Sequence, residues 1–350
     1  MEKFFCLQNE KSVLTRDESA FIKGVLICLV VLWHNVFIAS VFESAYGIFV
    51  PAHVSGFFLI TFLYGYKKTN FSDFIIKLSK KIIPVYAIAF IICSAAYIIV
   101  YNFVFADNIS AFKFTDGGGG YLCAFLLGGM RVRTMTGFLF FWFFPSFFYF
   151  SVFKFLLYTY PKIGIFLFII SVGLILYFDV VVENCMSYLN INAMLSGLYF
   201  LGLAFLNNYI LRKYNSAALF VLCLILFAAF SAAALFWGVK EIPDLIRAFF
   251  AIPFFGVLFY AAKNGRILNS IFGKSVIFIG QLSLYIYVSH QIIFRAFLEI
   301  SKRYAPNLVS HCGGTFNTAI LTYLITLLLS TAFAKIVVNI KTSCQTVKSA

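Results

Sequence analysis

Apolar stretches of about twenty residues recur along nearly the whole chain, broken by short clusters of charged, glycine-rich or proline-bearing sequence. A helix needs ~20 apolar residues to cross a ~30 Å hydrocarbon core. The rhythm therefore predicts about ten membrane-spanning helices, near 21–42, 48–66, 82–105, 137–158, 163–180, 194–211, 216–237, 247–262, 275–297 and 317–334. Segment 121–130 is too short to cross and follows Gly117 to Gly120, which suits a re-entrant or interfacial piece. No internal repeat is visible and no polar linker divides the chain. Residues 1–350 are expected to form one all-α domain, a polytopic membrane helix bundle.

Composition agrees with the pattern and removes an alternative. With 62% hydrophobic and 11% charged residues, and a mean hydropathy of +0.95, the chain lacks the polar surface to coat a soluble globule. A net charge of +14 could suggest nucleic acid, but the basic residues are scattered between apolar runs and form no stripe, so nucleic acid is not an expected partner. Topology accounts for them: with the N-terminus inside, 19 of the 27 Lys and Arg residues fall in inner segments and 8 in outer ones. This bias favours both termini in the cytoplasm. The N-terminus carries no short apolar segment with a small-residue cleavage site, so the first helix is expected to stay as an anchor. The eight cysteines show no ligand spacing, so they read as apolar filler, with no metal site and no disulfide framework.

Polar residues inside the apolar runs are where chemistry is expected, because an ionisable group at membrane depth is costly unless it has a task. Lys23 and His34 sit eleven residues apart in the first run. Eleven residues are about three helical turns, so both side chains share nearly one face, separated by ~16 Å. A basic residue at the entrance and an imidazole three turns deeper suit an anionic donor whose reactive end must reach into the protein. His34 lies ~18 Å from the inner edge of its span, and Asn35 adjoins it. His53 lies ~22 Å from the inner edge of the second span, and His290 ~22 Å along the ninth. Three imidazoles at one level can line one polar chamber, or each can be a hydrogen-bond partner between helices. His311 falls in an outer loop.

The ninth span carries two polar rows: Gln281, Tyr285 and Ser289 at every fourth residue, and Ser283, Tyr287 and His290 beside them. Such a face must meet other helices or water, not lipid. Lys67, Lys68, Lys77, Lys80 and Lys81 cluster in the first inner loop. They suit the phosphates of a nucleotide-bearing donor, or else attraction to anionic lipid. All 13 acidic residues can be placed in loops or at span ends, which disfavours a proton- or sodium-coupled carrier. There is no DxD-like pair, and no GxSxG, HExxH, Walker or dinucleotide fingerprint. Histidine chemistry leads.

At these residues the chain resembles the acyltransferase-3 family of integral membrane O-acyltransferases. Lys23-x10-His34 is similar to the family's basic residue, ten residues, then His. HVSGFFLITFLYG (53–65) resembles its second-helix segment, and FSDFIIKLSKKIIPVYAI (71–88) the basic turn and Pro-Tyr start of its third helix. GFLFFWFFPSFFYFSVF (137–153) resembles its Trp-Phe-rich helix, and IGQLSLYIYVSH (279–290) its late Ser-Leu-x-x-Tyr-x-x-His segment. Ala20 stands where the family often has Asp, Thr61-Phe62 where Ser-Gly is usual, and Lys77 and Lys80 where Arg is common.

The resemblance implies transfer of an acyl group other than amino-acyl, acetyl in the leading reading, from cytoplasmic acyl-CoA to a hydroxyl of a cell-surface polysaccharide or lipid-linked sugar. It implies no tightly bound cofactor, acyl-CoA as donor substrate, and a place in the plasma (inner) membrane of a bacterium. Lys23, with Lys77, Lys80 and Lys81, would hold donor phosphates. His34 would be the general base or a transient acyl carrier, with Tyr287 and His290 orienting acceptor or oxyanion. His53, Asn35 and Ser289 would line the acceptor path. A glycan or lipid-linked-oligosaccharide transporter, or a non-catalytic membrane scaffold, would share the helices and the charge. If Lys23 binds phosphate, Lys23→Ala raises the donor KM several-fold with a smaller change in kcat, read by initial rates at varied donor; a defect confined to the acceptor contradicts that role.

Overall fold

A computed structural model describes residues 12–35, 54–64, 69–99, 143–185, 189–214, 216–237, 244–304 and 316–349. These residues form twelve helices and no strand: α1 (Arg16–Trp33), α2 (Ser55–Phe62), α3 (Phe71–Ile99), α4 (Phe143–Thr159), α5 (Pro161–Cys185), α6 (Leu189–Lys213), α7 (Ala217–Trp237), α8 (Asp244–Lys263), α9 (Gly265–Asn269), α10 (Ile271–Gln281), α11 (Ser283–Tyr304) and α12 (Phe316–Ser349). Three are long and apolar enough to cross a bilayer, over Met194–Lys213, Ala217–Trp237 and Asn317–Ile340. The bent pair Ile271–Gln281 and Ser283–Leu298 makes a fourth if it counts as one span. Set against the expected ten, the described residues thus supply three or four. Segment 121–130, His53, His311, Lys67 and Lys68 lie outside the described residues, as do parts of the spans expected at 21–42, 48–66, 82–105 and 137–158.

The helices gather into two compact units. One holds Phe62 to Leu206 together with the start of the chain, the other Val13–Thr61 and Asn207–Ala350.

Aromatic side chains join the helices of the first unit. Phe155 of α4 stacks on Phe74 of α3 at 4.5 Å between ring centroids, and Phe144 meets Tyr86 at 5.8 Å. Phe62 packs edge-on against Phe150 and Phe205, with the Lys154 ammonium 5.0 Å from its ring centroid. Ser171 of α5 donates to the Leu198 carbonyl and accepts from the Gly202 N–H at 2.7 Å. Its hydroxyl thus enters the backbone ladder of α6. In the same unit α3 begins at Phe71, well before the expected start at 82. Lys77, Lys80 and Lys81 are therefore on a helix and not in a loop. Phe74, Ile75, Leu78 and Ile82 recur at helical spacing between them, and Asp73 sits favourably in the first turn.

The second unit is built on α1. Thr15 caps it: the Thr15 hydroxyl accepts from the Glu18 N–H, and Glu18 accepts from the Thr15 N–H at 2.8 Å. The Lys263 ammonium, at the end of α8, closes the corner with 2.7 Å to Glu18 and 2.6 Å to the Val13 carbonyl. The most extensive partner of α1 is α10. Both helices carry a glycine at the crossing. A methyl group on Gly24 would overlap the Val276 carbonyl oxygen, and one on Gly280 the Ala20 carbonyl oxygen. The two backbones touch there, as small residues allow in membrane helix pairs.

Just past this crossing the ninth span departs from the expectation of one straight helix over 275–297. The ladder breaks at Leu282, whose N–H reaches back to Ile279 and Gly280, and α11 leaves α10 at 81°. Gln281 consequently ends α10, exposed, and does not continue into the Tyr285–Ser289 row.

The two glycines set the separation of α1 and α10, so Gly280→Ala should lower the thermal midpoint of the protein in detergent or bilayers by several degrees. Overpacking of this kind costs ~1–3 kcal/mol. Gly173→Ala, where nothing lies within 4 Å of the added carbon, should be neutral or stabilising. Equal midpoints for both variants would contradict the close crossing.

Candidate active site

The first apolar run makes helix only to Trp33. His34 is its C-cap, with φ −82° and ψ −1°, and residues 36–42 of the expected span lie outside the described region. The end of α1 therefore leaves carbonyls to satisfy. The His34 N–H bonds the Val30 carbonyl at 3.1 Å and the Asn35 N–H that of Leu32 at 3.1 Å. The His34 ring stays close to the same turn, with Nδ1 2.8 Å from the Val30 carbonyl oxygen.

His290 comes to this helix end from α11. Its Nε2 lies 3.2 Å from His34 Nδ1, and the ring centroids are 4.9 Å apart with the planes tilted by 60°. His290 is fully buried, and its Nδ1 lies 2.7 Å from the Tyr287 carbonyl oxygen and 3.1 Å from that of Ile286. The Tyr287 ring is buried 5.9 Å from the His290 ring. The row Ser283, Tyr287, His290 is thus the buried face of α11. Ser289 is also buried, and its hydroxyl donates to the Tyr285 carbonyl one turn back, at 2.9 Å.

The third helix at this point is α12. Asn35, 2% exposed, donates to the Thr322 hydroxyl at 3.0 Å and to the Ala319 carbonyl at 3.2 Å. Thr322 in turn donates to the carbonyls of Thr318 and Ala319. About two turns nearer the start of α1, Cys28 hydrogen-bonds Tyr323. The end of α1 is therefore fixed by polar bonds to both α11 and α12, all within the second unit.

Lys23 is half-buried on α1, about 16 Å below His34 along the axis. It precedes Gly24, whose backbone meets α10. Lys77, Lys80 and Lys81 are exposed on α3 and belong to the other unit. Of the site residues expected from sequence, the second unit thus brings together His34, Asn35 and His290, with Tyr287 beside His290. Ser289 is in the same helix, and His53 lies outside the described residues. Among the described residues no group of three His, Cys, Asp or Glu side chains gathers as metal ligands would.

Sequence reasoning missed Thr322 and the glycine pair. Thr322 belongs to a row, Thr318, Thr322, Thr326 and Ser330, at every fourth residue of the last apolar run, and the last three are buried. That spacing was a readable sign of a helix face turned toward protein. Gly24 and Gly280 are far apart in sequence, so nothing local marks them as partners.

Chemically, the site offers an imidazole at a helix end, half-buried, held by a second imidazole and flanked by a bonded amide. Imidazole exchanges protons near neutrality and can serve as base, acid or nucleophile. The chain matches the acyltransferase-3 family, described as an acyltransferase domain, over residues 18–337. No curated protein and no solved structure matches it significantly. The match covers nearly the whole chain, including every residue of the site, and the chain belongs to this family of membrane acyltransferases.

A double-mutant cycle tests the anchoring of the helix end. Asn35→Ala and Thr322→Ala should each destabilise the protein, with a coupling of ~0.6–1.7 kcal/mol as found for polar bonds between membrane helices. Strict additivity would show that the Asn35–Thr322 bond does not hold α1 to α12.

Proposed function

We propose that this membrane acyltransferase moves an acyl group, acetyl in the simplest case, from cytoplasmic acyl-CoA to a hydroxyl of a cell-surface polysaccharide or lipid-linked sugar. The observation that carries the reading is the His34–His290 bond at the end of a helix whose other half bears Lys23. Lys23 binds a phosphate of the donor. From the diphosphate to the thioester sulfur, the arm of coenzyme A is a chain of about a dozen bonds, which extends to ~15 Å at the reach per bond of an extended backbone. The ~16 Å between Lys23 and His34 along α1 is the same length. A donor with its phosphate at Lys23 thus brings its thioester to the imidazole.

His34 is the general base. It takes the proton from the acceptor hydroxyl as the oxygen attacks the thioester carbonyl, and the tetrahedral intermediate then expels the thiolate. The exposed lysines of α3, Lys77, Lys80 and Lys81, add positive charge that attracts the phosphates of the donor or the headgroups of the bilayer. Tyr287 and Ser289, with His53, belong to the acceptor side in this reading. The donor is a substrate that comes and goes, and no tightly held cofactor enters the step. The apolar runs support about ten crossings, and the distribution of Lys and Arg supports both termini in the cytoplasm; the plasma membrane of a bacterium is the location that the family resemblance implies.

O-acyl esters on surface and lipid-linked glycans, compared between cells carrying wild-type protein and His34→Gln, test this reading. Loss of a catalytic base removes ~10²–10⁴-fold of rate, so the esters should be present with wild type and absent with a variant that still folds in the membrane. Esters that persist with His34→Gln would remove His34 from the chemistry. Unchanged esters together with a changed amount of surface glycan would point to transport.

A further inference from the structure

The hydrogen positions on the two imidazoles follow from their partners. A carbonyl oxygen only accepts, so a ring nitrogen bonded to one must be the N–H. His290 Nδ1 faces the carbonyls of Tyr287 and Ile286, at 2.7 and 3.1 Å. In the neutral ring this places the hydrogen on Nδ1 and the lone pair on Nε2. His34 Nδ1 faces the Val30 carbonyl at 2.8 Å, so it also carries its hydrogen. The His290 Nε2 lone pair meets that N–H at 3.2 Å. One hydrogen on His34 is thus shared between a backbone carbonyl and a second imidazole. The remaining lone pair of the pair belongs to His34 Nε2, for which no donor is found among the described residues.

We infer that His290 is a positioning residue: its Nε2 accepts from His34 Nδ1–H and holds the ring so that Nε2 of His34 is the atom that exchanges the proton. The inference rests on the reading of His34 as the base. His290 takes the place that a carboxylate has behind the histidine of a serine hydrolase, but it does so as a neutral group. A buried carboxylate beside His34 would need its own compensating charge, whereas a neutral imidazole satisfies the same N–H without adding charge to an apolar interior. The role is directed at His34 and not at the acceptor, unlike the role expected from sequence.

In this arrangement the proton enters and leaves through one atom. His290 is fully buried, and its Nδ1–H points at carbonyls of its own helix. The proton that His34 Nε2 removes from the acceptor leaves from the same nitrogen. The balance then closes on one imidazole. The acceptor O–H breaks as its proton moves to Nε2, the oxygen–acyl carbon bond forms, the acyl carbon–sulfur bond breaks, and the Nε2 proton goes to the thiolate. An ester and free coenzyme A thiol result, and His34 returns to its starting tautomer.

The test combines spectroscopy with kinetics on the full-length protein in bilayers. With ¹⁵N-labelled histidine, signals are assigned by difference against His34→Gln and His290→Gln. The expected spectrum has His34 protonated on Nδ1 and bare on Nε2, with a hydrogen-bond correlation from His34 Nδ1 to His290 Nε2. A His34 protonated on Nε2, or no correlation to His290, overturns the inference whether or not transfer is detected. In the kinetics, His290→Gln puts an amide oxygen near the position of Nε2 and should keep kcat within about tenfold. His290→Phe keeps the ring and loses the acceptor, and should lower kcat by about 10²-fold with the donor KM within about twofold. Matching losses in the two variants, or an effect confined to KM, overturn the positioning role. Absence of transfer by the wild-type protein, with the expected spectrum intact, would instead remove the base reading of His34 and leave the His34–His290 bond standing.

Discussion

At the crossing of α1 and α10 two helix backbones touch, because neither Gly24 nor Gly280 has a side chain to hold them apart. Apolar burial gives little reason for two helices to associate inside lipid, so the pairing rests on close packing and on polar bonds. The glycine contact supplies the first and also acts as a register. His34 lies ten residues beyond Gly24 on α1, and His290 ten residues beyond Gly280 across the bend at Leu282. A slip of one residue on either helix would rotate its histidine by about 100° around the axis. The 3.2 Å bond between the imidazoles therefore depends on a backbone contact a few turns away.

Once that contact is made, the polar groups satisfy one another without net charge. The His34 ring shares its N–H with Val30 and His290, His290 donates to its own helix, and Asn35 is taken up by Thr322 and Ala319 of α12. An unsatisfied polar group in an apolar interior costs several kcal/mol, so such a network holds its members in place more firmly than its individual bonds suggest. Charge is kept at the margin. Lys23 is half-buried near the start of α1, and the Lys263–Glu18 pair lies at its capped end. The same helix thus carries a cation suited to an anionic ligand and, three turns on, an imidazole.

Much of this was readable from the residues. Long apolar runs gave the all-helical class, and α6, α7 and α8 fall within a few residues of the expected segments. The Lys23–His34 spacing was visible because helix geometry within one run is local. The polar row Ser283, Tyr287, His290 was visible for the same reason, and it is the buried face of α11. What could not be read depends on tertiary contact. The bend at Leu282 lies between Gln281 and Ser283 inside a longer run that is mostly apolar, so averaged hydropathy continues the helix through it. The bend also removes Gln281 from the row and breaks the link between sequence position and depth. The early start of α3 was hidden by its lysines, which resemble a loop when counted by charge and a helix when counted by spacing.

The most direct test of the central claim uses purified protein in proteoliposomes with acyl-CoA labelled in the acyl group and a glycolipid extract as acceptor. The account predicts an alkali-labile ester on the glycan fraction, formed in equal amount with free coenzyme A thiol and only when protein, donor and acceptor are all present. Glycan that crosses the bilayer without gaining label, or thiol released without ester, would contradict it.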